Sequence, residues 1–346
     1  MRVLIIGGTR FIGPAVARRL HEMGHDVVVF HRGETEADLP RDVRHVHGDR
    51  ARLAGYADDF QRLAPQVVVD TSAYAEADVL PVMAVFRGIA RRVVALSSQD
   101  VYRAYGRFHG REPGLPEPAP YGEDAPLREQ LYPYRGTGRG LDAYEKIFVE
   151  RAVLGYPSLP GTVLRLPMTY GEGDYQHRIA LELKRMDDGR PAILVDEAIA
   201  GWRWTRGYVE NVASAVALAA ADERAIGRVY NVGEQDALTY ADWLGEIARA
   251  AGWAGELITV PSDRLPPQLR PPPGDYAQDL VADTSRIRNE LGYQEPIPRS
   301  EALLRTAVWQ RAQRAELNPD LFDYAVEDEV LAALGRTAEQ PGRTGT

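Results

Sequence analysis

The chain opens with a short apolar run, Val3-Leu4-Ile5-Ile6, which passes directly into Gly7-Gly8-Thr9-Arg10-Phe11-Ile12-Gly13 and then into Pro14 and the amphipathic Ala15-Val16-Ala17-Arg18-Arg19-Leu20. No other segment restricts the fold as tightly. The first run reads as a buried strand, the spacing after Pro14 as a helix, and glycines between them allow the backbone to approach a pyrophosphate whose charge rests on the helix N-terminus. Pro14 suits a first helical turn, where its missing N–H is not needed. A parallel sheet is therefore expected, with a dinucleotide as the ligand of its first turn.

The remainder of the first half repeats the pattern. Strand-like runs at 3–6, 27–30, 43–47, 67–70 and 93–97 alternate with helical spacing at 15–23 and 79–89, which predicts an α/β, doubly wound parallel sheet with helices on both faces. Residues 107–140 are dense in Pro, Gly and Tyr with no apolar period and read as a lid or a mobile insertion. Helices are expected at 141–153, 209–220 and 240–251, strands at 162–166 and 229–232. Prolines between 264 and 274 exclude helix and inner strand there.

With 346 residues, about two domains are expected. The first comprises 1–165 plus about 206–236, the second, a smaller α+β substrate domain, 166–205 plus 237–335, and 336–346 reads as a flexible tail. The net charge of -9 argues against an extended nucleic-acid surface. Absence of cysteine removes thiol nucleophiles and thiolate metal sites. Neither a signal-peptide h-region nor an 18-residue apolar span is apparent, so a cytoplasmic protein without a membrane partner is expected.

The second strand ends in His31-Arg32, with no acid until Glu34. NAD readers usually place a carboxylate there and NADP readers an arginine, so Arg32, with Arg10 from the glycine loop, favours NADP(H), and NAD(H) stays open. Asp49 is placed to accept from an adenine amino group, and Arg50 beside it could add phosphate charge or face solvent. His45 and His47 share one face of a strand. Without a third ligand nearby they read as structural, and no metal is expected.

These motifs resemble the extended short-chain dehydrogenase/reductase superfamily, the NAD(P)-dependent epimerase/dehydratase group, and its atypical members beginning GGTRFIG. Gly7 and Gly13 match GxxGxxG, with Arg10 on the middle glycine. Ser97-Ser98-Gln99-Asp100-Val101-Tyr102 is similar to SSxxVYG, Leu164 through Gly171 to LRxxxVYG, and Arg206 through Val212 to RDFxxVDDV. The resemblance implies a Rossmann domain whose dinucleotide site takes in Gly7, Thr9, Arg10, Phe11, Ile12, Gly13, His31, Arg32, Asp49, Arg50, Thr71, Ser72, Ala73, Lys146 and Pro167. It also implies a catalytic serine at Ser98 and a lysine at Lys146 that grips the nicotinamide ribose.

The tyrosine expected four residues before that lysine is Asp142. Tyr144 is offset by two, about 200° around a helix. Asp142 as a base, Asp100 as acid/base or turn cap, and Tyr144 in an altered register are the candidates for proton transfer, with Tyr102, Tyr105, Tyr132 and Tyr134 as further phenols. Arg206 matches an arginine that meets a substrate diphosphate, and the family's substrate-contacting asparagine falls on Met168. Ser98, Met168 and Arg206 are thus the substrate candidates, and Trp202, Arg203 and Trp204 could stack on a ligand or simply pack. The reading is an NADP(H)-dependent oxidoreductase, epimerase or dehydratase acting by hydride transfer on a small or sugar-like substrate, as a possible homodimer. The alternative is a degenerate NAD(P)-binding regulator or RNA-associated scaffold.

Overall fold

A computed structural model describes residues 1–313 and 316–336. The first half runs β1 (Arg2–Ile6), α1 (Ile12–Glu22), β2 (Asp26–His31), β3 (Arg44–His47), α2 (Ala57–Leu63), β4 (Val67–Asp70), α3 (Glu76–Phe86), β5 (Arg92–Ser98), α4 (Arg103–Phe108), α5 (Lys146–Leu154) and β6 (Gly161–Leu166). Later strands are β7 (Met168–Tyr170), β8 (Ala192–Asp196), β9 (Arg206–Tyr208), β10 (Val229–Asn231) and β11 (Glu256–Val260). Seven of them form one parallel sheet in the order β10-β6-β5-β4-β1-β2-β3. Strand order reverses between β1 and β4, which opens the crevice at their carboxyl ends.

The period of two along β1 explains the two helical layers. Val3 and Ile5 enter one core with α1 and the helix Val209–Ala221, whereas Leu4 and Ile6 enter the opposite core with Phe60, Met83, Phe86 and Val149 from α2, α3 and α5. Each such aliphatic side chain taken fully out of water contributes about 1.5–3 kcal/mol before entropy is counted. A strand covered on both faces has no polar side to show, hence its unbroken apolar run.

A smaller layer continues the first of these cores. Ile193 and Val195 of β8, Leu183, Trp243, Leu244 and Leu303 all belong to it. β8 pairs in parallel with β11, and β7 with β9. The proline-rich 264–274 region holds only short 3₁₀ turns at Ser262–Arg264 and Pro267–Leu269. No helix among the described residues is long and apolar enough to cross a membrane. The tail expected at 336–346 lies, from 337 onward, outside the described residues.

Two expectations are corrected. The helix expected at 141–153 begins at Lys146, and residues 141–145 precede it. Glu145 is extended (φ -156°, ψ 97°), and its carboxylate accepts from the Ile147 amide, which caps the helix one turn later than the spacing implied. The segment at 107–140, expected as a lid or a mobile insertion, is tied to the rest of the fold by hydrogen bonds and continues as a strap to Glu145. The Tyr121 amide donates to the Val281 carbonyl at 3.0 Å and the Arg128 amide to Val101 at 2.8 Å. The Glu112 carboxylate accepts from the amides of Glu129 and Gln130, each at 2.9 Å.

Candidate active site

The reactive cluster is assembled where β5 ends and the strap returns. Ser98 closes β5, and its hydroxyl accepts from the Asp100 amide at 3.2 Å, starting the 3₁₀ turn Gln99–Val101. That turn buries Asp100. Its Oδ2 accepts from the hydroxyl of Tyr144 at 2.8 Å and from that of Tyr134 at 2.9 Å, while its Oδ1 is buried with no hydrogen-bond partner among the described residues. Ser98 is near enough to Tyr144 that its side chain favours the phenolate, the smallest of the influences on that hydroxyl. The Lys146 ammonium donates to the carbonyls of Ala73 at 2.5 Å and Leu96 at 2.8 Å, and stands 4.9 Å from the Tyr74 ring centre and 5.8 Å from that of Tyr144.

Burial governs the protonation of all three groups. It raises the Asp100 carboxyl above its ordinary range, against the opposing pull of Arg128, the two phenols and Lys146. Burial also raises Tyr144, and the neighbouring Asp100 charge adds to that rise, so the phenol is held as a protonated donor. Lys146 is pushed down to about 8 by desolvation, only partly countered by Asp100 and Asp70.

Asp142 lies elsewhere. It is exposed, and its carboxylate accepts from the Gly136 amide at 2.7 Å within the strap. Four-residue spacing puts two groups on one face only inside a helix, and residues 141–145 are not helical, so neither the four-residue relation of Asp142 to Lys146 nor the angular offset of Tyr144 applies. Tyr144 closes a turn, its amide on the Leu141 carbonyl at 3.0 Å, and brings its hydroxyl to Asp100 with its ring near Lys146. Of the other phenols, Tyr134 joins Asp100, whereas Tyr102 donates to Asn231 at 2.6 Å and Tyr105 accepts from Trp204 at 2.8 Å.

The glycine loop has the shape a dinucleotide needs. Gly7 and Gly8 have φ of +93° and +89°, and a Cβ on Gly13 would lie 2.4 Å from the Gly8 Cα. Phe11 has φ 46° and stacks edge-on to Tyr175. The Thr9 hydroxyl meets that of Thr35 at 2.9 Å, and Ile12 opens α1. Thr71, Ser72 and Ala73 form the opposite lip after β4: a Cβ on Gly7 would lie 2.4 Å from the Thr71 hydroxyl oxygen. Orphan amides at the start of α1, a bare backbone and a strand-order reversal together fit a pyrophosphate-bearing ligand.

Several sequence-derived roles are revised. Arg50 is neither a phosphate cation nor solvated: its guanidinium pairs with buried Asp70 at 2.9 and 3.0 Å and also binds the Ser72 hydroxyl and the Asp78 carbonyl. Asp49 accepts from the Ala51 amide at 2.9 Å as the cap of the 3₁₀ turn Arg50–Tyr56. Arg10 and Arg32 are both exposed, Arg32 beside Glu34 at 2.8 Å. Pro167 is half-buried, close enough that a Cβ on Gly207 would come within 2.8 Å of its ring. Met168 is buried in β7. Arg206 points into the smaller layer, where it donates to the Trp204 and Leu238 carbonyls and lies over the Trp243 ring at 4.5 Å, so it does not present its charge to an open substrate cleft. Trp202 stacks on Phe108 with centroids 5.1 Å apart and is a packing residue.

The expectation that His45 and His47 lack a third ligand is overturned as well. His31 and His47 are paired residues in the β2–β3 register, and the three imidazoles converge. Tyr74, Arg128 and Glu145 were not anticipated. No short-range pattern links Arg128 to Glu145, but the β2–β3 register, once drawn, would have found His31.

The family model for NAD dependent epimerase/dehydratase matches residues 3–233. The chain is 27% identical over 290 residues to a 2'-dehydrokanamycin reductase of Streptomyces kanamyceticus, covering 83% of this chain and 75% of that one. It is 24% identical over 302 residues to a dTDP-glucose 4,6-dehydratase of Streptomyces niveus, covering 86% and 73%. In fold it is similar to a UDP-glucose-4-epimerase from Stenotrophomonas maltophila solved with NAD and a formylated UDP-arabinopyranose, with TM-score 0.69 and 18% identity over 90% of this chain and 98% of that one. The reversed strand order, the glycine cradle beside it and a family match across the whole sheet lead to one assignment: the chain belongs to the NAD dependent epimerase/dehydratase family.

Proposed function

We propose that the protein is an NADP(H)-dependent oxidoreductase that moves hydride between the nicotinamide and a carbonyl or carbinol carbon of a small or sugar-like substrate. The observation that carries this reading is the bond of the Tyr144 hydroxyl to Asp100, whose own amide binds the Ser98 hydroxyl, beside Lys146. The dinucleotide, held by the glycine loop, by Thr71, Ser72 and Ala73, and by Lys146, would supply or accept the hydride. Ser98 and Tyr144 hold the substrate oxygen. In reduction that oxygen takes the proton of the Tyr144 hydroxyl, and a proton taken up from solvent is passed on through Asp100, 2.8 Å away, to restore the phenol, burial having raised the carboxyl's proton affinity. Lys146, charged below about pH 8, stabilises the phenolate left behind.

Tyr144 therefore takes the place of the family tyrosine, with Asp100 as its proton partner. A reductase outcome is favoured over elimination because the position preceding Asp100 is Gln99, whose side chain donates to the Val232 carbonyl at 2.8 Å and offers no second acid. The dehydrokanamycin and dTDP-glucose named for the two relatives make a sugar-ring ketone or its carbinol the first substrate class to try. Purified protein is expected to oxidise NADPH, followed at 340 nm, against a panel of keto-sugars and small ketones. Tight NADPH binding with no turnover on any of them, together with intact cellular function of Lys146→Ala, would establish the non-catalytic binding role instead.

Preference for NADP(H) is assigned to Arg10 and Arg32. Charge-assisted contacts of this kind are worth about 1.5–3 kcal/mol. Replacing both by alanine is therefore expected to weaken NADPH binding by at least ~10-fold and to leave NADH binding unchanged, read by fluorescence titration. Equal wild-type affinity for the two cofactors would remove the role.

A further inference from the structure

Outside the reactive cluster, the carboxyl ends of β2 and β3 bring three imidazoles together. Parallel pairing sets His31 beside His47, and His45, two residues back on the same face of β3, comes within 2.8 Å of His31 through its Nδ1 and the His31 Nε2. One ligand nitrogen from each ring lies within 4.8 Å of the others. The rings are inclined to one another, at 76° for His31 and His45 and 89° for His31 and His47, so their edges converge. Glu36, from the loop after β2, places one carboxylate oxygen 3.8 Å from His45 Nδ1 and the other 3.7 Å from His47 Nε2.

We propose that His31, His45 and His47, with Glu36 as the fourth ligand, form a binding site for a zinc-class divalent ion at the edge of the sheet. Nitrogens bound to zinc at ~2.0–2.1 Å in a tetrahedron stand ~3.4 Å apart, between the 2.8 Å of the His31–His45 contact and the 4.8 Å outer limit of the set. Three imidazoles and one carboxylate are a borderline donor set, suited to zinc, cobalt(II) or nickel and poor for calcium or magnesium. Access is open on one side and closed on the other: His31 is 6% exposed, whereas the side chains of His47 and Glu36 are 59% and 65% exposed.

The ion-free arrangement holds the ligands near their places. The Gly33 amide donates to His31 Nδ1 at 3.2 Å, so the ring's proton sits on Nε2 and is donated to His45 Nδ1. An ion entering between those two nitrogens takes the place of that shared proton. The proton moves to His31 Nδ1 as the ring gives up the Gly33 amide, and the imidazole stays neutral. Binding thus exchanges two hydrogen bonds for metal–ligand bonds and needs only small side-chain rotations, with Glu36 closing over the outer face.

Untagged protein, first stripped with chelator, is titrated calorimetrically with zinc chloride alone. One equivalent is expected to bind with a dissociation constant in the micromolar range or tighter, and cobalt(II) in its place is expected to give the intense visible absorption of a four-coordinate ion. His47→Gln and Glu36→Gln, both at exposed positions where folding is not at risk, are each expected to weaken zinc binding by at least ~10-fold. Circular dichroism of the variants confirms that they are folded. No stoichiometric zinc binding by the wild type overturns the site, as does undiminished binding in folded His47→Gln.

Discussion

Tyr144→Phe is expected to lower kcat by about 10²–10⁴-fold, the usual yield of a positioned proton donor, and to leave the dissociation constant for the dinucleotide where it was. This is the largest effect expected of any single oxygen atom in the protein. The Tyr144 hydroxyl is 2.8 Å from Asp100, and burial holds it protonated. Removing that oxygen leaves the ring packed near Tyr134, centroids 5.0 Å apart, so the fold is retained. Asp142→Asn is the control. Its carboxylate serves only the Gly136 amide on the strap's exposed side, and an asparagine oxygen can do the same, so kcat should change by less than about twofold. A reversed outcome, with Asp142→Asn inactive and Tyr144→Phe active, would return proton transfer to the carboxylate that sequence spacing points to.

Glu145→Ala is expected to cost about 3–5 kcal/mol of stability, read as a fall in the urea midpoint. The Arg128 and Glu145 side chains are 2% and 1% exposed and joined at 3.0 Å. The same carboxylate accepts from the Tyr132 amide at 2.6 Å and the Ile147 amide at 3.0 Å, so one side chain closes the strap, starts α5 and neutralises a buried guanidinium. Truncation leaves Arg128 charged and buried with only carbonyl partners. Replacing both members by apolar residues, Arg128→Met with Glu145→Leu, should recover a large part of the loss, because no unpaired charge remains. A double variant as unstable as the single one would show that the strap depends on the amide bonds rather than on the pair. Turnover should fall in Glu145→Ala beyond what stability explains, since Tyr144 is the adjacent residue.

Sheet and cradle could be read from residues 1–100 because every clue there is local. β-branched runs, a glycine pair at a strand end and Pro14 in a first helical turn each fix their own neighbourhood, and parallel pairing then follows from chain order. The strap could not be read in that way. Its order comes from contacts such as Tyr121 to Val281 and Glu117 to Gln278, between residues more than 150 positions apart. At the helix that carries Lys146, apolar spacing continued smoothly upstream and concealed the cap at Glu145, so the sequence could not choose among Asp142, Asp100 and Tyr144. Arg50 and Arg206 were recognisable as cations, but their partners, Asp70 in one case and carbonyls and an indole in the other, lie in distant segments. The histidine cluster was hidden for the same reason: His31 and His45 are far apart until β2 and β3 are laid side by side.

The anchoring of Lys146 carries a consequence of valence. An ammonium has three hydrogens to give, and two already point at the carbonyls of Ala73 and Leu96. One is left. A diol offers two oxygens, so gripping both at once would require this lysine to surrender a strand end. In the proposed cofactor role it would meet a ribose as a single-point contact, its direction set by the Ala73 and Leu96 carbonyls before any ligand arrives.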